Sequence, residues 1–198
     1  RLAMDIGMPV IREYAEKFGI NEDLPEYLSM SLGAGETNLL ALTAAYGQLV
    51  NGGKKISPSL IDRIQDRYGQ TILKHDKRAC EACDAPEGWS GQPVPELVDN
   101  RQQLTDKASA FQMVSMLEGV ITRGTGRQIK ELGLVLAGKT GTTNDNTNAW
   151  FIGFSPDLVT GVYVGYDVPR PLGKRETGST VAAPIFKQFM RDAMAGKP

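Results

Sequence analysis

Lys139-Thr140-Gly141-Thr142-Thr143 sets a cation, three hydroxyls and a residue with no side chain on five consecutive positions. A carboxylate suits such a set. The ammonium supplies charge, the Thr140 and Thr142 hydroxyls orient the ligand, and Gly141 lets it lie against the backbone. The run follows the apolar Leu134 to Gly138 and precedes segments rich in aromatic and β-branched residues, so it is expected as a strand of an antiparallel sheet. Alternation then puts Thr140 and Thr142 on one face and Lys139 and Gly141 on the other, so a ligand meeting all four must lie along the strand edge. An extended peptide pairing there would also find a strand N–H able to hold a developing oxyanion. The competing reading of Lys139 is a solvated strand lysine.

The other reactive side chains are sparse. Cys80 and Cys83 are the two cysteines and His75 the single histidine. Zinc would need a fourth ligand besides these three. A redox Cys-x-x-Cys belongs at a strand-to-helix junction, whereas this one lies in a polar stretch holding Pro86, Gly88, Gly91, Pro93 and Pro95. It reads as a local disulfide pinning a surface loop, which suits an oxidising compartment, with two free thiols as the alternative. No metal and no cofactor is assigned.

The elements that must position these residues are legible from periodicity. Val10, Ile11, Tyr14, Ala15 and Phe18 recur at three and four, giving a short helix from Pro9 to Phe18 that ends at Gly19. A second helix is expected from near Thr37 to Asn51-Gly52-Gly53, almost wholly buried because it is rich in Ala and Leu. Extended segments flank the turn-like Arg67-Tyr68-Gly69-Gln70, and residues 75 to 103 form an irregular excursion. A third helix starts near Asp106 with Ala110, Met113, Val114, Leu117, Val120 and Ile121 on one side, ending at Gly124 and Gly126. Trp150 to Phe154 and Val159 to Val168 form a hairpin around Ser155-Pro156-Asp157-Leu158. A last helix after Pro184 carries the apolar stripe Ile185, Phe186, Phe189, Met190, Ala193 and Met194. Helices in one block and strands in another predict an α+β fold, an antiparallel β-sheet flanked by helices.

Composition bounds the function. With 22 Lys+Arg against 23 Asp+Glu, the net charge of -1 gives no pull toward nucleic acid, and no basic stripe is present. No apolar run approaches the roughly 20 residues of a membrane-spanning helix. The opening Arg1-Leu2-Ala3-Met4-Asp5 has neither an initiator Met nor a signal-peptide layout, so the chain is expected to begin inside a larger protein.

Taken together, the motifs resemble class A, bifunctional penicillin-binding proteins. Lys139-Thr140-Gly141-Thr142 is similar to their third signature. Ser31-Leu32-Gly33-Ala34-Gly35-Glu36, Ala44-Ala45-Tyr46 and Asn51-Gly52-Gly53 resemble the region between the second and third signatures. Gly119 to Gly126 resembles the segment before the third, and Asn148-Ala149-Trp150-Phe151-Ile152-Gly153-Phe154 the strand after it. The resemblance spans residues 1–198 apart from the excursion and implies the C-terminal portion of one transpeptidase domain. It implies a serine acyltransferase that cleaves D-Ala-D-Ala in peptidoglycan stem peptides and is trapped by β-lactams. The parent would carry a glycosyltransferase domain, be anchored in the bacterial cytoplasmic membrane and face the periplasm or exterior. By the same resemblance Lys139, Thr140, Gly141, Thr142 and Thr143 bind the substrate or drug carboxylate, and the Thr142 backbone N–H supplies half of the oxyanion hole. Gly124, Thr125 and Gly126 have two readings, a rim to the site or a helix C-cap and turn.

The departure from the family is specific. Its first signature is Ser-x-x-Lys and its second Ser-x-Asn, and no serine from Ser29 to Ser179 begins either. The second is expected just upstream of Arg1, in the missing part of the same domain. The alternative to an enzyme fragment is a non-catalytic module that binds peptidoglycan or a partner on the same scaffold. A D,D-carboxypeptidase or β-lactamase is a third reading, disfavoured by Ser31 to Gly53 and Gly119 to Gly126.

Overall fold

The computed structural model describes residues 1–78, 80, 91, 93 and 97–197. The chain divides into two compact units, Arg1–Ile56 with Gln103–Pro198, and Ser57–Gln102. In the first unit, Gly7 at φ 90° separates helix α1 (Leu2–Ile6) from α2 (Met8–Lys17). The five residues of α1 are too few for a period to show in the sequence. Pro9 occupies the first turn of α2, where its missing N–H leaves no bond unmade.

Helix α3 (Leu39–Val50) starts after Asn38, whose side chain accepts from the Ala41 N–H at 2.8 Å. Thr37 stays outside it because its hydroxyl donates to the Ile20 carbonyl at 2.7 Å. The expectation of a nearly buried α3 is corrected: Leu40 is 53% exposed, and the buried positions are Ala45, Gly47 and Gln48. Composition cannot tell which side of an Ala/Leu helix meets the core.

The second unit holds a two-stranded antiparallel ribbon, β1 (Arg63–Gln65) and β2 (Thr71–Lys74), all of whose residues are exposed. Its turn is closed by the Asp66 carboxylate, which accepts from the N–H groups of Tyr68 and Gln70, and by Gly69 at φ 83°. Between 75 and 102 the described residues hold no helix and no strand. Cys83 lies outside the described residues, and so do its expected disulfide with Cys80 and the zinc reading that adds His75.

Back in the first unit, α4 (Lys107–Thr122) is capped by Asp106, which accepts from the Ser109 N–H at 2.9 Å. Its buried positions are Ala110, Leu117, Gly119 and Ile121. Met113, expected on that side, is 40% exposed. Strands β3 (Ala137–Thr142), β4 (Asn148–Phe154) and β5 (Val159–Gly165) form an antiparallel sheet in the order β3-β4-β5. β5 stops at Gly165 rather than Val168, because Gly165 pairs with Asn148, the first residue of β4. A π-helical turn (Gly178–Ala182) leads into α5 (Ala183–Ala193). The apolar stripe of α5 divides: Phe186 and Met190 are fully buried, while Ile185 and Phe189 are about half exposed.

The sheet is the middle of three layers. On one face Phe151 meets Phe186 of α5 at a ring distance of 4.7 Å, within a core that includes Ile121, Ile129, Ala149, Ala182 and Met190. On the other, Phe154 and Ala137 pack with Leu117 of α4 and Tyr46 and Leu49 of α3. Removing a phenylalanine such as Phe151 from a core of this kind costs about 3–5 kcal/mol. Close approach is built into the strands: a Cβ on Gly153 would lie 2.7 Å from the Phe186 ring, so no larger residue fits. The result is the α+β, antiparallel-sheet architecture read from the sequence.

Candidate active site

The Lys139 to Thr142 run forms the end of β3, and β3 is an edge of the sheet. Register fixes where each group points. Lys139 opposes Ile152, Thr140 opposes Phe151, Gly141 opposes Trp150 and Thr142 opposes Ala149. Beyond the strand, Thr143 donates its N–H to the Asn148 carbonyl at 3.2 Å. In an antiparallel ladder hydrogen-bonded pairs alternate with non-bonded ones, so Gly141 and Lys139 also turn their amides toward β4. The N–H and C=O of Thr140 and Thr142 therefore point to the open edge. The sequence expectation that a ligand meets the run along the edge has this geometric basis.

The two side-chain faces differ. Thr140 and Thr142 share the Phe151 face: the Thr140 hydroxyl lies 2.8 Å from that of Thr125, and Thr142 Oγ1 accepts from the Gly178 N–H at 3.0 Å. Lys139 and Gly141 share the face of Ile152 and Trp150. Lys139 is exposed, and its Nζ donates to the Thr140 carbonyl at 2.7 Å, curling the ammonium over the strand edge. Gly141 sits closely against β4, since a Cβ there would lie 3.1 Å from that of Trp150.

A cleft of ≈ 540 Å³ runs along this face, lined by Lys139 to Asn144, Trp150 and Ile152, by Leu42 and Tyr46 of α3, and by Ser29 and Leu32 to Glu36. The last segment enters from a loop that is tied down locally. Asn21 Nδ2 donates to the Glu36 carbonyl at 2.8 Å, Ser31 Oγ to the Leu28 carbonyl at 2.6 Å, and Gly33 takes φ 90°. Gly33-Ala34-Gly35-Glu36 carries no site signal in the sequence beyond its small residues. Among the lining residues Lys139 is the basic side chain and Glu36 the acidic one, and burial pushes the Tyr46 phenol above its ordinary range.

The floor of the cleft is held by the β3–β4 connection. Thr143 Oγ1 accepts from the Asn148 N–H at 2.9 Å and pairs with the Thr147 hydroxyl at 2.7 Å. Asp145 and Asn146 take left-handed angles, φ 59° and 53°. Asn146 Nδ2 reaches the carbonyls of Gly173 and Lys174, and its own carbonyl accepts from the Leu172 N–H at 2.9 Å. Non-glycine residues at positive φ are strained, and the bonds of Asn146 to the 172–174 loop hold it there. The structure thus brings Lys139, Thr140, Gly141, Thr142 and Thr143 to one cleft. Gly124, Thr125 and Gly126 adjoin it from behind through Thr125, while Gly124 and Gly126 cap α4 on the Val120 carbonyl. The helix-end reading of that tripeptide is seen in these bonds, and none of its three residues lines the cleft.

With no serine of this chain in a Ser-x-x-Lys or Ser-x-Asn setting, the cleft offers a cation, hydroxyls and outward amides but no activated nucleophile. What it can do chemically is hold an anion and the backbone of an extended chain.

Comparison with known proteins gives concordant results. The family model of the penicillin binding protein transpeptidase domain matches residues 1–191. Penicillin-binding protein 1A of Rickettsia bellii (strain RML369-C) is 44% identical over 199 residues, covering 100% of this chain and 25% of that protein. The chain thus spans about a quarter of the length of the curated relatives it matches. The crystal structure of penicillin-binding protein 1A from Haemophilus influenzae superposes with a TM-score of 0.83 at 29% identity, over 99% of this chain and 32% of that one. PonA1 from Mycobacterium tuberculosis in complex with penicillin V superposes at 0.71 and 22% identity, over 97% of this chain and 51% of that one, and shares the fold.

Proposed function

The chain belongs to the penicillin-binding protein transpeptidase family, and on that premise we propose that it is the carboxylate- and oxyanion-binding part of a peptidoglycan D,D-transpeptidase. The observation that carries this is the outward N–H of Thr142 on the free edge of β3, beside the exposed Lys139 ammonium. A stem peptide ending in D-Ala-D-Ala would lie along that edge. Its terminal carboxylate would meet Lys139 and the hydroxyls of Thr140 and Thr142, and its scissile carbonyl the Thr142 N–H.

The reaction needs a serine from outside this chain. Its Oγ would attack the carbonyl of the penultimate D-Ala, moving negative charge onto the carbonyl oxygen held by Thr142. Collapse of the tetrahedral adduct would break the peptide bond and release the terminal D-Ala as the amine, leaving an acyl-serine. An amine of a neighbouring stem would then attack the ester, forming the cross-link and returning the serine. A β-lactam would be held by the same groups, its ring opening in place of the peptide bond. The parent is a class A, bifunctional protein with a glycosyltransferase domain, anchored in the cytoplasmic membrane and working on its outer side.

Fluorescent penicillin tests the assignment. Protein carrying the sequence upstream of Arg1 should label covalently, and the 198-residue chain should not. Labelling of the 198-residue chain would overturn the absence of a nucleophile. An extended protein that stays unlabelled while folded would favour the rival, a peptidoglycan-binding module without chemistry.

A further inference from the structure

We infer that Thr125 is a positioning residue for the carboxylate site, acting through the Thr140 hydroxyl; the inference rests on the transpeptidase reading above. The two hydroxyl oxygens are 2.8 Å apart, fifteen residues apart in sequence, on different elements. Thr125 belongs to a turn with little freedom. The N–H groups of Gly124 and Gly126 both donate to the Val120 carbonyl at the end of α4, at 3.2 and 3.0 Å. A Cβ on Gly124 would lie 2.8 Å from the Val120 Cα, and one on Gly126 3.0 Å from Ile121 Cδ1. Glycine at 124 lets the turn sit this close to the Val120 backbone, the seat at 126 is tight, and the turn aims the intervening hydroxyl at β3.

The chemistry follows from counting hydrogens. A threonine hydroxyl has one hydrogen and two lone pairs. If Thr140 gives its hydrogen to an anion, a second bond to Thr140 must be accepted by its oxygen, so Thr125 has to be the donor. Thr125 then does two things: it fixes the Thr140 rotor so that the hydrogen points to the ligand, and it polarises that O–H. The other polar neighbour of Thr140 is already set, since its carbonyl takes the Lys139 ammonium at 2.7 Å. Without Thr125 the Thr140 hydroxyl would be free to rotate. The Gly-Thr-Gly turn is thereby a support of the anion site as well as the end of a helix.

The test compares Thr125→Val and Thr125→Ser in the protein carrying the upstream sequence. The readout is the second-order acylation rate with a penicillin bearing its free carboxylate and with the same penicillin as its methyl ester. Valine keeps the shape and removes the hydroxyl; serine keeps the hydroxyl. Thr125→Val should slow acylation by the free acid about three- to tenfold, the worth of one neutral hydrogen bond, and leave the ester rate unchanged. Thr125→Ser should stay within about twofold of wild type on both. In a Thr140→Val background, Thr125→Val should add nothing. Equal slowing of acid and ester, no slowing at all, failure of serine to rescue, or an undiminished effect without the Thr140 hydroxyl would each overturn the positioning role. A folded wild type that no penicillin acylates would overturn the transpeptidase reading itself, and the inference with it. Melting curves of each variant separate these outcomes from misfolding.

Discussion

The backbone N–H of Gly178 donates to the hydroxyl of Thr142 at 3.0 Å, joining the π-helical turn before α5 to the last residue of β3. The contact is possible because Gly178 has no side chain: a Cβ there would lie 2.5 Å from the Gly141 carbonyl oxygen and 3.1 Å from its nitrogen. Gly178→Ala must therefore push the turn away from the strand. Overpacking of this kind costs about 1–3 kcal/mol. The expected result is a lower melting temperature together with slower penicillin acylation, because Thr142 loses the donor that holds its side chain.

Lys139→Ala should behave oppositely. The side chain is exposed and its bond is to the adjacent carbonyl, so the melting temperature should stay near wild type. Acylation of the upstream-extended protein should fall roughly ten- to a hundredfold, the worth of a hydrogen bond to a charged group. Unchanged acylation would return Lys139 to the role of a solvated strand lysine.

Asn38 caps α3, the helix whose Leu42 and Tyr46 line the cleft. Asn38→Ala removes the acceptor for the Ala41 N–H and should lower stability by about 1 kcal/mol. Asn38→Asp keeps an acceptor and adds a charge favourable at a helix N-terminus. Denaturant midpoints should rank alanine below wild type, with aspartate near or above it.

Glu131 accepts from Lys187 Nζ at 2.5 Å, linking the 3-10 turn at Arg127–Leu132 to α5. That bond, with the lysine charge, holds the Glu131 carboxyl below its ordinary pKa. A lowered folded-state pKa means that stability is full above the unfolded carboxyl range and is lost as pH falls through the lowered value. The melting-temperature gap between wild type and Glu131→Gln should therefore be present at neutral pH and close in acid. The gap should be small and should shrink with added salt, since Glu131 is 74% exposed.

Much of this fold is legible in the sequence because it rests on local signals. Pro9, Asn51-Gly52-Gly53, Asp106 and Gly124 mark helix ends through backbone rules that hold in any context. The hairpin of β4 and β5 shows through aromatic and β-branched content around a Ser-Pro-Asp turn, whose Ser155 hydroxyl accepts from the Asp157 and Leu158 N–H groups. Leu40 is expected buried from composition and Met113, Ile185 and Phe189 from period, yet each lies exposed on its helix, because neither signal says how far the covering layers reach. Periodicity gives a face, and only the neighbouring layers decide how wide a band of it is covered.

For the site, the sequence by itself determined which side chains stand together and the family resemblance. Lys139, Thr140, Gly141 and Thr142 are consecutive, and strand alternation already divides them between two faces. Tertiary structure alone decided which edge of the sheet they occupy, because strand order depends on pairings between segments far apart in the chain. It also placed the 33–36 loop across the cleft, Gly178 against Gly141, and the Thr125 hydroxyl on Thr140. These are contacts between residues 15 to more than 100 positions apart. Their physical origin is the packing of α3, α4 and α5 on the two faces of one small sheet, and no local pattern encodes it.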